Sequence, residues 1–469
     1  MKFNYYYSKW ILIGIIIIAA ALRFFTLNNF DLNFEEQLIW FAGMQNTPLD
    51  ALICIVKIKP FSLILAITSW ITCYNDLYIE LVNRTITLLS GIIAIPLIFI
   101  LTKKIYSEIE GIIAAGFIGL SFNCIIASQN MTEQSLLLTF SLLYFIALIT
   151  FLDKLAEEEK TSKKDNIFLI ITGLLLGLTS IWGILIILIS FFYSFFFIKK
   201  IKIFLKTICR FGYIIIPLGL FTWWGLYQNI IYADFKTNYL NTINYIISNN
   251  FILSTIFIAP IFYSIFIYIK RAITKTESIE DAKTKFSNST LIISIWLCAS
   301  IIGFILITLF MKVKFTEIDL IFILPPLFIF IARSIVLISS KLNHQIIIGS
   351  AFGLIFLISI YFNLELIDNK PEYNQATRYI MRTNEDNQYN IMFYGNNIFS
   401  SEAFTYYLKK NNIKNNVILL NDIKNANIDY TWFIADNSID ESIITGMFNK
   451  DLIIGGYRYK GVTIYQLKN

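Results

Sequence analysis

From Trp10 onward the chain alternates long apolar runs with short charged loops, the hydropathy pattern of a protein that crosses a membrane many times. The first run, Trp10–Leu22, follows Lys2 and Lys9, which places the N-terminus on the cytoplasmic side. Leu22-Arg23-Phe24-Phe25 and the many later spans make it a retained anchor rather than a cleaved signal. The segment Asp31–Leu63 then lies outside. The next apolar stretch, 60–74, is fifteen residues long, short of the roughly 20 that a span needs. The one after it, Arg84–Leu101, ends in Lys103-Lys104, and positive-inside logic makes that end cytoplasmic. The stretch 60–74 is therefore expected as a helix lying at the outer interface.

With that parity, further spans follow: Gly111–Ala127, Gln134–Leu152, two short spans within Ile167–Ile198 meeting near Trp182-Gly183, Phe211–Tyr227, Phe251–Ile269, Leu291–Phe310, the proline-bearing Leu320–Ala332, and Gln345–Phe362. About eleven spans result. Residues 363–469 break the pattern. Glu372–Arg382 and Ser401–Lys410 have helical periodicity; 390–394, 416–420, 430–435 and 452–467 read as strands. The expected architecture is an α-helical polytopic membrane protein of about eleven transmembrane helices plus an interfacial helix. The expected domains are a membrane region, 1–362, with an outer loop at 28–83, and a small α/β extracytoplasmic domain, 363–469.

Composition agrees. The chain is 57% hydrophobic and 15% charged, against roughly 25% charged in soluble domains, and its mean hydropathy is +0.65. The net charge of +6 comes mainly from loops between apolar runs and reports topology rather than nucleic-acid binding. The five cysteines form no Cys-x-x-Cys pair and His344 is the one histidine, which disfavours Cys/His zinc sites and Ser-His-Asp or Cys-His hydrolases.

Candidate chemistry concentrates after the first span. Glu35 and Glu36 are adjacent, between Phe34 and Trp40-Phe41, and a basic, proline-bearing segment follows, Lys57-Ile58-Lys59-Pro60. A carboxylate at a membrane surface beside a cation suits proton abstraction from a hydroxyl next to a lipid phosphate; the plainer reading is a solvated charged loop. Lys59 could equally be a snorkelling interfacial lysine. Arg84 fits a span-end anchor, and Gln129 a helix cap or a sugar contact. Lys312 and Lys314 lie outside against the positive-inside trend, which marks them as phosphate-binding candidates.

The order of these parts resembles the GT-C superfamily of polyprenyl-phosphate-sugar-dependent glycosyltransferases, in particular the protein O-mannosyltransferases and the lipid A aminoarabinose transferases. Phe34-Glu35-Glu36 stands where those families carry Asp-Glu after span one. Lys59-Pro60-Phe61-Ser62-Leu63 stands for Lys-Pro-Pro-Leu, and Arg84 for an arginine before span two. Ser128-Gln129-Asn130-Met131-Thr132, then Leu136-Leu137-Leu138, stands for Ser-Gln-Glu-Ala-Arg followed by Leu-Leu. Phe315–Leu327 and Tyr373–Tyr394 echo two later segments. The departures are specific: Glu35 replaces Asp, Phe61 the second proline, Thr132 an arginine and Ser180 a lysine.

The resemblance implies an inverting glycosyltransferase of the inner (plasma) membrane. It would move a sugar from a polyprenyl-phosphate donor to a lipid, glycan or protein acceptor on the extracytoplasmic face. Glu35 would be the base. Glu36 would orient the acceptor or help hold a divalent metal, and Lys59, Arg84, Gln129, Lys312 and Lys314 would bind substrate. Two other classes compete: a transporter or flippase, and a non-catalytic scaffold of the same fold. The absence of an evident inverted repeat and the small number of charges in mid-span count against transport; the lost cations keep the scaffold in play.

Overall fold

The computed structural model describes residues 5–25, 27, 31–58, 62–72, 79–156, 162–197, 211–218, 292–298, 300–301, 321–339, 372–383, 389–394, 398–411, 415–419, 432–436, 453–459 and 462–467. The chain forms two compact units. One comprises Met1–Phe25, Val56–Ile64 and Ile86–Tyr361; the other comprises Thr26–Ile55, Leu65–Thr85 and Phe362–Asn469.

The first unit is helical. It contains α1 (Tyr5–Phe24), most of α5 (Ile79–Ile105), α6 (Glu108–Leu120), α7 (Phe122–Gln129), α8 (Glu133–Ala156), α9 (Lys163–Thr179), α10 (Ile181–Phe197) and, after two short helical stretches at 211–218 and 292–298, α11 (Leu324–Ser339). Among the described residues, α5 and α8 are each long and apolar enough to cross a membrane. The span expected at Gly111–Ala127 is broken: α6 and α7 meet at 55°. The sequence there has no proline; the break falls at Ser121, whose extended backbone separates the two helices. The pair expected around Trp182-Gly183 separates at Ser180, also extended. The spans expected at Phe251–Ile269 and Gln345–Phe362 lie outside the described residues.

Lipid offers little hydrophobic drive between helices, so close packing and interhelical hydrogen bonds must hold them. Both are present. Phe145 stacks on Trp296 at 3.9 Å and Trp182 on Phe322 at 4.6 Å. α5 and α8 share a seam of hydroxyls: Ser90 Oγ lies 2.8 Å from Thr139 Oγ1, and Ser135 Oγ donates to the Thr87 carbonyl at 2.6 Å. Glu110, buried on α6, accepts from Arg333 of α11 at 2.6 Å.

The second unit holds α2 (Phe34–Gly43), most of α3 (Pro48–Ile58) and α4 (Leu63–Thr72), the start of α5, and the C-terminal elements α12 (Tyr373–Thr383), β1 (Tyr389–Tyr394), α13 (Ile398–Lys410), β2 (Asn415–Leu419), β3 (Trp432–Asp436), β4 (Ile453–Tyr459) and β5 (Val462–Leu467). The strands form one sheet in the order β2-β1-β3-β5-β4. β1 runs parallel to β2 and β3, with α13 as the β1–β2 crossover. β5 runs antiparallel to β3 and β4. Each C-terminal element falls within three residues of its sequence expectation.

The stretch after the first span is more ordered than a solvated loop. Asn33-Phe34-Glu35-Glu36 forms a capping box: Asn33 Oδ1 accepts from the Glu36 N–H, and Glu36 Oε2 from the Asn33 N–H. Thr47-Pro48-Leu49-Asp50 starts α3, with proline in the first turn, Thr47 Oγ1 accepting from the Asp50 N–H and the Thr47 hydroxyl donating to Asp50 Oδ2. The stretch expected at the interface is a ten-residue apolar helix, α4.

Candidate active site

The acidic pair occupies the first turn of α2, where the helix N-terminus favours negative charge. Its two members have different surroundings. Glu35 is half-buried, whereas Glu36 is fully buried. Arg84, also fully buried, donates to Glu36 through Nε to Oε1 and through Nη2 to Oε2, each at 2.7 Å. The same guanidinium reaches back along the chain, to the Leu27 carbonyl at 3.0 Å and the Asp31 carbonyl at 3.2 Å. Arg84 therefore fastens both the first turn of α2 and the segment leading into it.

Six further residues, Asp31, Glu80, Asn374, Tyr406, Tyr407 and Lys410, none of them a site candidate from sequence, complete this cluster. Asp31 Oδ2 accepts from the Asn374 backbone N–H at 2.7 Å, in the first turn of α12. The Leu32 N–H donates to the Tyr407 hydroxyl at 2.8 Å. Glu80 accepts from Lys410 Nζ at 2.6 Å and from the Tyr406 hydroxyl at 3.2 Å. The Tyr406 ring packs on Trp40 of α2 at 5.3 Å. Burial pushes the Asp31 carboxyl up to about 6; Glu80 adds to the rise, while the Asn374 N–H, Lys410 and Arg84 oppose it. Burial, then the Asp31 and Glu80 charges, holds the Tyr407 hydroxyl well above its ordinary value.

The remaining expected residues fall elsewhere. Gln129 belongs to the other unit, where its Nε2 donates to the carbonyls of Leu22 and Arg23 at 3.2 and 3.3 Å and so caps the end of α1. Lys59, Lys312 and Lys314 lie outside the described residues. Ser62, just after the Lys-Pro segment, donates to Glu133 Oε2 at the start of α8 at 3.3 Å. Among the described residues no three His, Cys, Asp or Glu side chains converge as a metal site requires. Glu36 pairs with the Arg84 guanidinium.

No family model matches this sequence, and no curated protein matches it. Solved structures do. Apo ArnT from Cupriavidus metallidurans superposes with a TM-score of 0.58 at 9% identity, covering 98% of this chain and 98% of that one. The chain has the ArnT fold. ArnT bound to undecaprenyl phosphate matches with a TM-score of 0.53 at 10% identity, again over 98% of each chain. The Archaeoglobus fulgidus oligosaccharyltransferase in complex with Zn and sulfate gives a TM-score of 0.48 at 13% identity, over 91% of this chain and 68% of that one. At 9% and 10% identity the likeness to the two ArnT structures is one of fold.

Proposed function

We propose that this protein is an integral-membrane glycosyltransferase that moves a sugar from a polyprenyl-phosphate donor to a lipid, glycan or protein acceptor on the extracytoplasmic face of the inner membrane. The observation that carries the reading is the ArnT fold along 98% of both chains, joined to an acidic pair on a capped helix turn in the helix that follows α1. That one ArnT structure holds undecaprenyl phosphate supports a polyprenyl phosphate as the carrier.

In this mechanism Glu35, half-buried on the first turn of α2, takes the proton of the acceptor hydroxyl. The acceptor oxygen bonds to the anomeric carbon from the face opposite the phosphate. The anomeric carbon–oxygen bond to phosphate breaks, and its electron pair leaves with polyprenyl phosphate, so the configuration inverts. Glu36, locked by Arg84, fixes the turn from which Glu35 projects. Lys59, Lys312 and Lys314 are the cations proposed to neutralise the lipid phosphate, and Gln129 remains a substrate contact only through its position beside the end of α1.

The test is mass spectrometry of lipids, glycans and proteins from cells lacking the gene, complemented with wild type or with Glu35→Gln. Loss of one sugar-sized mass, restored by wild type alone, is expected. Restoration by Glu35→Gln would remove Glu35 from the mechanism. An unchanged profile in every fraction would remove the transferase reading itself.

A further inference from the structure

The polar groups of the short segment before α2 are engaged in turn. The Asp31 carbonyl accepts from Arg84, the Leu32 carbonyl from Gln37 Nε2 at 2.9 Å, and the Asn33 N–H donates to Glu36. Two more, the Asp31 carboxylate and the Leu32 N–H, are taken by residues more than 340 positions away, on α12 and α13. Those two helices are themselves bound together: Asn411 Nδ2 lies within 3.1 Å of Asn374 Oδ1, Thr377 Oγ1 and the Tyr407 carbonyl, and the Tyr373 and Tyr407 rings stack at 6.0 Å. Glu80, at the start of α5, ties the same surface through Tyr406 and Lys410.

We infer that the C-terminal segment acts as a clasp on the candidate active site, with Tyr407 and Asp31 as positioning residues that hold the first turn of α2, and hence Glu35, in its reactive orientation. The inference rests on the transferase reading for its catalytic consequence, not for the clasp itself. A reactive group displaced by about 1 Å can lose a factor of about 100 in rate, and a helix turn approached through two residues of irregular backbone is held only as well as those residues are. Tyr407 has the attributes of such a holding residue. It is fully buried, its ring is fixed between Tyr373 and Tyr406, and its hydroxyl meets the Leu32 amide. This also gives the terminal domain a role in the reaction that requires it to touch no substrate.

The deciding variant is Tyr407→Phe, which removes one hydroxyl and keeps the ring packing. Full-length protein in detergent is added to membranes of the deletion strain, which supply donor and acceptor together, and product is followed by mass spectrometry across a dilution series of membranes. The expected result is a saturating rate lowered roughly tenfold with the half-saturating membrane concentration within about twofold of wild type. Hydrogen exchange of the peptide spanning Leu32, measured on the same protein without substrate, is expected to accelerate at least as much. Unchanged exchange would overturn the clasp whatever the enzyme does. Accelerated exchange together with a wild-type saturating rate would overturn its positioning role. Accelerated exchange in Tyr407→Phe, combined with full transfer by Glu35→Gln, would leave the clasp standing and remove the base that it is said to position.

Discussion

Arg84 and Glu36 face each other with both guanidinium–carboxylate bonds at 2.7 Å and neither side chain exposed. Forming such a pair gains little over an apolar substitute, because two charges must leave water. Breaking it is a different matter, since one charge stays buried alone. Glu36→Gln and Arg84→Met are each expected to destabilise the protein by about 3–5 kcal/mol, seen as a lower midpoint in thermal unfolding of the detergent-solubilised chain. Arg84→Lys should recover little, because a single ammonium cannot reproduce the two-pronged contact and the bonds to the Leu27 and Asp31 carbonyls at once. Glu35→Gln should lower the midpoint far less, by the helix-terminus contribution of about 0.3–1 kcal/mol, while abolishing transfer. Equal midpoints for the Gln variants at 35 and 36 would contradict this division of labour.

Asp31 gives the same cluster a pH dependence with a defined sign. Its carboxyl is pushed up to about 6 in the folded protein, chiefly by burial, against about 3.9 in an unfolded chain. The folded state therefore holds the proton more tightly. The stabilising contribution is fully present below about pH 4 and is lost as pH rises through about 6. The shift corresponds to about 3 kcal/mol. Asp31→Asn keeps an acceptor for the Asn374 N–H and removes the titration. Unfolding midpoints measured from pH 4 to 8 should fall less steeply for Asp31→Asn than for wild type, with the variant the more stable above pH 7. Parallel profiles would show that Asp31 does not titrate in this range.

How much of this could be read from the sequence follows from what each feature depends on. The C-terminal elements were legible because their periodicity is local, and Asn33-Phe34-Glu35-Glu36 spells its own capping box within four residues. The break between α6 and α7 was not. It carries no proline, and the Ile118 and Gly119 carbonyls near it are met by Arg23, some 95 positions earlier. Tyr407, Lys410 and Asn374 were missed for the same reason: their partners Leu32, Glu80 and Asp31 lie 330 to 375 positions away. Arg84 was singled out through its motif position, but its partner Glu36, 48 residues away, is a fact of the fold.

Gly43, the last residue of α2, is where that helix meets α4. A Cβ placed there would overlap Ser69 Oγ and come within 2.8 Å of the Ser69 carbonyl carbon. The second obstacle is backbone, so the contact cannot be relieved by a rotamer change. Trp70 adds a tie, its Nε1 donating to the Gln45 carbonyl at 3.1 Å. Gly43→Ala is expected to cost about 1–3 kcal/mol. Shortening Ser69 to glycine on top of it should return only part of that loss. Full recovery in the double variant would locate the clash in the side chain alone.

Arg23, on α1, closes the end of α6, and Gln129, on α7, closes the end of α1. Arg23, fully buried, donates through Nη1 to the Gly119 carbonyl at 2.8 Å and the Ala19 carbonyl at 3.1 Å, through Nη2 to the Ile118 carbonyl at 3.1 Å, and through Nε to Ser128 Oγ at 3.1 Å. Gln129, at the end of α7, returns the contact to the last carbonyls of α1. The carbonyls at a helix end have no partner within the helix, and in an apolar setting they need one. Arg23 thus supplies the donors that a 55° break at Leu120–Phe122 leaves wanting. Gly91 permits the close approach, since a Cβ there would overlap Ser128 Oγ and lie 3.3 Å from Arg23 Nε. Arg23→Met should cost more than Gln129→Leu, because it strands two carbonyls of α6 at about 1–3 kcal/mol each, and Arg23→Lys should restore only part. The two losses should not add, since each residue steadies the helix end that presents the other. Thermal midpoints of the single and double variants provide the cycle. Strict additivity would mean that the caps act independently and that the break in the span is set by α6 and α7 alone.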